Sequence, residues 1–233
     1  MTTVSTFMVP KRKSLLDTGT VASDALVMKR LAEAFPIFIG CIVMARAAEP
    51  TPAVIALQPL GEVKVERLSV VKQGLEKAYG LKVTTLPAKP LPKAAWYAPR
   101  GRYRADILLD ELAGHTPGTC RIVIGLTAKD ISVTKDQHED WGIFGLGQLD
   151  GRTCVVSTFR LGARGADEAK LRERLRKVAI HEVGHVMGLP HCPHEGCVMR
   201  DGEASIATVD AETGTCCESC ANAWREWLRR EDQ

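Results

Sequence analysis

The feature that most constrains this chain is a concentration of metal-ligating side chains near its C-terminus. Four of its six histidines, His181, His185, His191 and His194, fall there, with five of its eight cysteines, Cys192, Cys197, Cys216, Cys217 and Cys220. Eight cysteines in 233 residues are too few for a small disulfide-built scaffold. Thiols interleaved with imidazoles point instead to metal. A fold for this sequence has to gather the segment 181–220 around one or more ions.

The first cluster is His181-Glu182-Val183-Gly184-His185-Val186-Met187-Gly188-Leu189-Pro190-His191, at the end of a helical pattern. Positions four apart share one helix face, so His181 and His185 can meet a single ion. Glu182 sits one step round the helix, where it can take a proton from water at the ion without binding the ion itself. Gly188 permits the left-handed turn that ends a helix, and Pro190 prevents its resumption, so the chain can fold back and deliver His191. Three protein ligands and an open fourth position describe a catalytic zinc site. The two-histidine motif alone is a weak match; its extension through Gly188 and His191 is the metzincin signature.

The second cluster is Cys192-x4-Cys197 followed, after nineteen intervening residues, by Cys217-x2-Cys220. Two short loops that each donate a thiolate pair suit a closed tetrahedral zinc, whose binding would hold together a tail with little core of its own. A pair of disulfides is the alternative, and Cys216 beside Cys217 leaves the register of the third ligand open. His194 falls outside the ligand pattern and reads as an exposed loop residue, and His115 and His138 carry no pattern. Cys120 and Cys154 lie on expected strands as buried thiols, with a bridge between them as the other option.

Charge excludes one class of function. The 31 Lys+Arg against 28 Asp+Glu leave a net charge of +3, and that excess is confined to residues 1–47; the remainder holds 25 of each. A body without net charge lacks the electrostatic footprint of a nucleic-acid binder. Residues 1–47 read as a leader: Lys29 and Arg30 precede an apolar run over 34–45 that ends in Ala45-Arg46-Ala47, the three parts of a signal peptide over 28–47. The run of about 12 residues is short of the roughly 20 needed to cross a bilayer, so no stable membrane span is expected. This predicts an exported protein, periplasmic or secreted, with cleavage after Ala47 and translation starting at Met28; the alternative is a disordered leader on a cytoplasmic protein.

Past the linker-like Glu49-Pro50-Thr51-Pro52, periodicity predicts strands over 53–57, 81–86, 120–126 and 154–159. Helices are predicted over 62–79 with Gly80 as C-cap, near 104–112, over 166–188 and over 218–229. The basic stretch 170–177, broken by Glu173, reads as the solvated face of the long helix. Trp224 and Trp227, three apart, are expected to pack the last helix on the domain. Gly145-Leu146-Gly147 is no nucleotide loop, because Asp150 stands where a third glycine should fall. The order of elements is a mixed α/β pattern with an irregular tail after Gly188.

The run from His181 through His191-Cys192, Cys197-Val198-Met199 and Cys217-Glu218-Ser219-Cys220 resembles the archaemetzincins, and segments 57–63, 96–103 and 157–161 are similar to family segments. The resemblance implies an α/β zincin-like metzincin catalytic domain: a mixed, mostly parallel twisted sheet, a long active-site helix and a short, irregular, zinc-stapled C-terminal subdomain. It implies a metallopeptidase domain over 48–233, divided into subdomains of about 53–188 and 189–233. It implies two zinc ions, a catalytic one on His181, His185 and His191 with Glu182 as general base, and a structural one on Cys192, Cys197, Cys217 and Cys220. By the same resemblance Met199 is the Met-turn residue beneath the ligands, and 141–146 contains the edge strand along which an extended peptide lies.

Two functions follow. The first is a zinc-dependent endo- or aminopeptidase acting on peptide or protein substrates, with a monomer as the expected state. The second is a zinc-containing peptide-binding module with little or no turnover. Glu182 favours the first, since a pure binder has no need of a base there.

Overall fold

The computed structural model describes residues 55–115, 118–202 and 205–231, with the backbone of Val9–Pro10. The leader 1–47 and its signal segment 28–47 otherwise lie outside the described residues. In chain order the elements are β1 (Val9–Pro10), β2 (Ile55–Leu60), α1 (Val65–Tyr79), β3 (Val83–Thr85), β4 (Trp96–Tyr97), β5 (Arg102–Arg104), α2 (Ala105–Gly114), β6 (Ile122–Thr127), β7 (Ile131–Lys135), β8 (His138–Ile143), β9 (Gly145–Leu149), β10 (Thr153–Ser157), α3 (Glu168–Val186), α4 (Ile206–Ala211) and α5 (Glu218–Glu231). No helix among the described residues is long and apolar enough to cross a membrane.

The main sheet has the order β1-β9-β10-β6-β2-β3. Its strands β10, β6, β2 and β3 run parallel, while β9 is antiparallel to β10. The strands β2, β6 and β10 are buried at every position, as parallel strands covered on both faces must be. Alternate residues feed two separate cores. Ile55, Leu57, Ile122, Ile124 and Val156 pack with α1 and α3 on one face, and Ala56, Leu60, Val123 and Val155 pack with α2 on the other.

Each predicted strand and helix forms within a few residues of its expected bounds. Gly80 closes α1 at φ 69°, its N–H bonding to the Glu76 carbonyl. The second sheet, ordered β4-β5-β7-β8, is not expected from periodicity. Its strands β4 and β5 are only two and three residues long, and the hairpin at 131–143 is rich in charge. Ion pairs hold it: Arg102 Nε lies 2.9 Å and Arg160 Nε 2.7 Å from the buried Asp130 carboxylate, and Arg102 also reaches Asp140 at 2.7 Å.

One expectation is corrected. The stretch 170–177 is not a solvated face, because Arg174 and Lys177 are only 3% and 2% exposed. Arg174 forks onto Asp210 of α4 through two bonds of 2.8 Å and donates to the Leu161 and Ala163 carbonyls. Lys177 pairs with Glu173 and donates to the Val209 and Asp210 carbonyls. The carboxylate that receives Arg174 and the carbonyls that receive Lys177 lie more than thirty residues away, in an α4 too short to register as a periodic helix.

This network has a pH signature. Arg174 holds the Asp210 carboxyl down at about 2. A carboxylate whose folded pKa is depressed stabilises the fold above its unfolded pKa of about 3.9, and that stability is lost as pH falls toward 2. Denaturation midpoints measured from pH 5 to pH 2 should fall more steeply for the wild type than for Asp210→Asn. The difference should be on the order of 1–2 kcal/mol.

Candidate active site

The helix α3 starts at Asp167, whose Oδ1 accepts from the Lys170 N–H at 2.8 Å, and its last nine residues are buried. It ends in a Schellman motif: Leu189 N–H bonds the Gly184 carbonyl at 3.0 Å, and Gly188 N–H bonds the His185 carbonyl at 2.9 Å. Gly188 takes φ 81°, a left-handed value that glycine adopts without the Cβ penalty. The chain therefore turns back at Gly188, and Pro190 carries it to His191. The three imidazoles converge, with ring centroids 4.5, 5.4 and 4.9 Å apart.

Hydrogen bonding leaves the ε nitrogens of the first two rings for a ligand. His181 Nδ1 lies 2.7 Å from the Val198 carbonyl and His185 Nδ1 2.7 Å from the Leu189 carbonyl, so each Nδ1 carries the proton. The two Nε2 atoms then face each other as lone pairs at 2.9 Å, an arrangement that repels unless a cation lies against both. His191 Nε2 and Glu182 Oε2 are buried with no hydrogen-bond partner among the described residues. Burial holds His181 down at about 4 and lowers His185 and His191, so all three are neutral at pH 7, the form a metal requires. These residues fit a zinc ion with three nitrogen ligands.

Glu182 is 2% exposed, and burial pushes its carboxyl up to about 8, opposed by a hydrogen bond from the Gly147 N–H. Two glycines of β9 make room for it. A Cβ at Gly145 would lie 2.6 Å from Glu182 Oε1, and one at Gly147 would lie 2.6 Å from the Glu182 carbonyl oxygen. The segment 141–146 divides between two sheets: Trp141–Ile143 belong to β8, an edge strand of the second sheet, and Gly145–Leu146 to β9, which pairs with β10 on one side and, at Gln148–Leu149, with β1 on the other.

Met199 is fully buried, and a Cβ at Gly184 would collide with its sulfur and lie 3.2 Å from Tyr79 Oη. Gly184 is thus the point at which α3 touches both Met199 and α1. Gly184→Ala should cost about 1–3 kcal/mol, read as a drop in melting temperature, because the added methyl has no free space.

The second cluster also forms. The Sγ atoms of Cys192, Cys197, Cys217 and Cys220 all lie within 4.8 Å of one another. The Cys192–Cys217 and Cys197–Cys220 separations are 3.7 and 3.9 Å. Four sulfurs at zinc–sulfur bonds of about 2.3 Å in a tetrahedron stand about 3.8 Å apart, so the donor set fits zinc. Cys217, and not its neighbour Cys216, lies within this cluster, and both pack against the core. All seven described cysteines are free, including the buried Cys120 and Cys154. His194 is exposed in its loop, with Nδ1 3.4 Å from Cys192 Sγ. The last helix docks as expected: Trp224 meets Tyr79 edge-on at 5.3 Å, and Trp227 lies under the Arg121 guanidinium at 4.3 Å.

Three contributors have no signal in the sequence. Tyr79 donates to the Ile180 carbonyl at 2.7 Å, tying α1 to the ligand-bearing turn. Asp201 Oδ2 lies 3.5 Å from His191 Nδ1. The Gly145 and Gly147 pair looks like a loop motif until α3 is seen lying across it.

Residues 92–226 match the model of peptidase family M54. The archaemetzincin of Archaeoglobus fulgidus is 34% identical over 171 residues, covering 73% of this chain and 98% of that protein. Its crystal structure, determined as a complex with malonate, superposes with a TM-score of 0.62 over 72% of this chain and 98% of that one. The crystal structure of the Methanopyrus kandleri archaemetzincin, 28% identical, gives a TM-score of 0.65 over 78% of this chain and 99% of that one. With three histidines, a glutamate and four cysteines gathered as the sequence motif requires, the chain belongs to peptidase family M54, the archaemetzincins.

Proposed function

We propose that this zinc metallopeptidase hydrolyses peptide bonds at the His181, His185 and His191 site, with Glu182 as general base and a second zinc on Cys192, Cys197, Cys217 and Cys220. The observation that carries this reading is the convergence of three neutral imidazoles, the first of them next in sequence to a buried glutamate whose Oε2 has no hydrogen-bond partner among the described residues. His181, His185 and His191 would hold the zinc, which when bound would supply Lewis-acid chemistry toward a scissile carbonyl and water. The protein's own groups do the rest. The carbonyls of Val198 and Leu189 hold the first two imidazoles in the tautomer that presents Nε2. Gly147 N–H holds one side of the Glu182 carboxylate, leaving Oε2 to take the proton of the attacking water and return it to the leaving amine.

The substrate is a peptide or protein segment, and we place it extended beside β9 at Gly145–Gly147, ahead of the Gln148–Leu149 positions that pair with β1, by strand addition. The cysteine site is a staple, joining the loop after His191 to the start of α5 so that Val198 and Met199 stay under the rings. We further propose that the protein acts as a monomer and, if the 28–47 signal is used, outside the cytoplasm. A peptide library incubated with the zinc-loaded protein, with and without a chelator, tests the activity. Cleavage that the chelator abolishes and added zinc restores is the expected result; cleavage that is insensitive to chelation would sink the reading.

A further inference from the structure

The two clusters share a short stretch of backbone. His191 is followed directly by Cys192, and Cys197 directly by Val198, whose carbonyl accepts from His181 Nδ1 at 2.7 Å. Val198 is bonded toward both sites, because its own N–H donates at 2.9 Å to the carbonyl of Thr215, two residues ahead of Cys217. A parallel bridge between Cys197 and Thr215, and the Cys217 N–H at 3.3 Å from Cys197 Sγ, keep these two segments side by side. The Cys192 N–H donates to the Met199 carbonyl at 2.8 Å, which ties the residue after His191 to the same run, 197–199. Residues 191–200 belong to no helix or strand. The run is held by these bonds, by the burial of Val198 and Met199, and by the sulfurs that flank it.

His185 is held differently. Its Nδ1 donates to the Leu189 carbonyl at 2.7 Å, and the Leu189 N–H bonds the Gly184 carbonyl, so its partner belongs to the turn that closes α3. One imidazole is thus oriented by the active-site helix itself, and the other two depend on the segment that carries the first two cysteines.

We infer that the two metal sites are coupled through Val198: an ion on the four sulfurs fixes the run 197–199, and the fixed run orients His181 and His191 for the other ion, while His185 is oriented without it. The inference rests on the two-zinc reading and adds to it a dependence of one site on the other. Binding at a closed ion site is folding free energy for the segment it closes. Groups that hold ligating imidazoles are worth about 10–100-fold in metal affinity, and coupling between two sites amounts to about 5–150-fold.

The test fills the cysteine site of the zinc-free full chain with one equivalent of cadmium(II), a soft ion that thiolates select, followed by its thiolate absorption. Imidazole N–H signals of the isotope-labelled protein are then compared without and with cadmium. A slowly exchanging Nδ1–H is expected for His185 in both samples and for His181 only with cadmium. An equal His181 signal in both, or loss of both signals from the cadmium-free protein, would overturn the inference. Zinc affinity of the histidine site, by chelator competition, should be about 5–150-fold weaker in Cys217→Ser than in the cadmium-loaded wild type. Equal affinities in a folded Cys217→Ser would overturn the coupling; should that variant fail to fold, the imidazole comparison on the wild type decides. A cadmium-loaded protein that takes up no zinc would overturn the histidine-site reading itself, and the inference with it.

Discussion

Glu182→Gln should keep both zinc ions and lose peptide hydrolysis by about 10²- to 10⁴-fold, the usual worth of a positioned general base. The amide has the shape of the carboxylate and an oxygen to accept from the Gly147 N–H, so the packing of α3 across Gly145 and Gly147 should survive. What it lacks is a lone pair basic enough to take a proton at the position of Oε2. Initial rates on a cleaved peptide, with zinc measured by elemental analysis on the same samples, separate a lost base from a lost metal. Unchanged turnover with two zinc ions would remove Glu182 from the mechanism. Loss of one ion would recast it as part of the metal site.

The second large effect concerns two adjacent thiols. Cys217→Ser should release one zinc and lower the melting temperature by about 10 °C or more, because a closed structural site contributes its binding free energy to folding. Cys216→Ser should keep both ions and cost about 1 kcal/mol, since that thiol packs beside the cluster without joining it. Serine is nearly isosteric with cysteine, so the contrast isolates ligation from packing. The opposite order of effects would mean that the tail is held in the other register.

The site was legible because its geometry is local. A helix puts residues four apart on one face, and a glycine three residues after the second histidine, followed by a proline, marks the end of that helix; Gly188 at φ 81° performs that task, and His191 follows. The cysteine pairs were legible for the same reason, as two short knuckles whose spacing suits one ion, although only the fold could choose between Cys216 and Cys217. The parallel strands β2, β6 and β10 announced themselves as apolar runs.

What stayed hidden depends on distant partners. Arg174 and Lys177 look like solvent-facing cations until Asp210 is brought to them by α4. The second sheet is held by Arg102, Arg160 and Asp130, which no periodicity connects. Asp201 is a loop acid with no motif of its own, and its approach to His191 is visible only in the folded chain. In each case the determining contact joins residues from separate elements, and sequence spacing carries no information about it.

The central claim is that an ion on the three histidines performs the hydrolysis. The most direct test is to measure zinc per chain and peptide cleavage on the same preparations of wild type and His185→Ala, using the full chain. The account predicts two zinc ions with cleavage for the wild type, and one zinc ion without cleavage for the variant. Cleavage at the wild-type rate by a His185→Ala protein holding one zinc ion would contradict it.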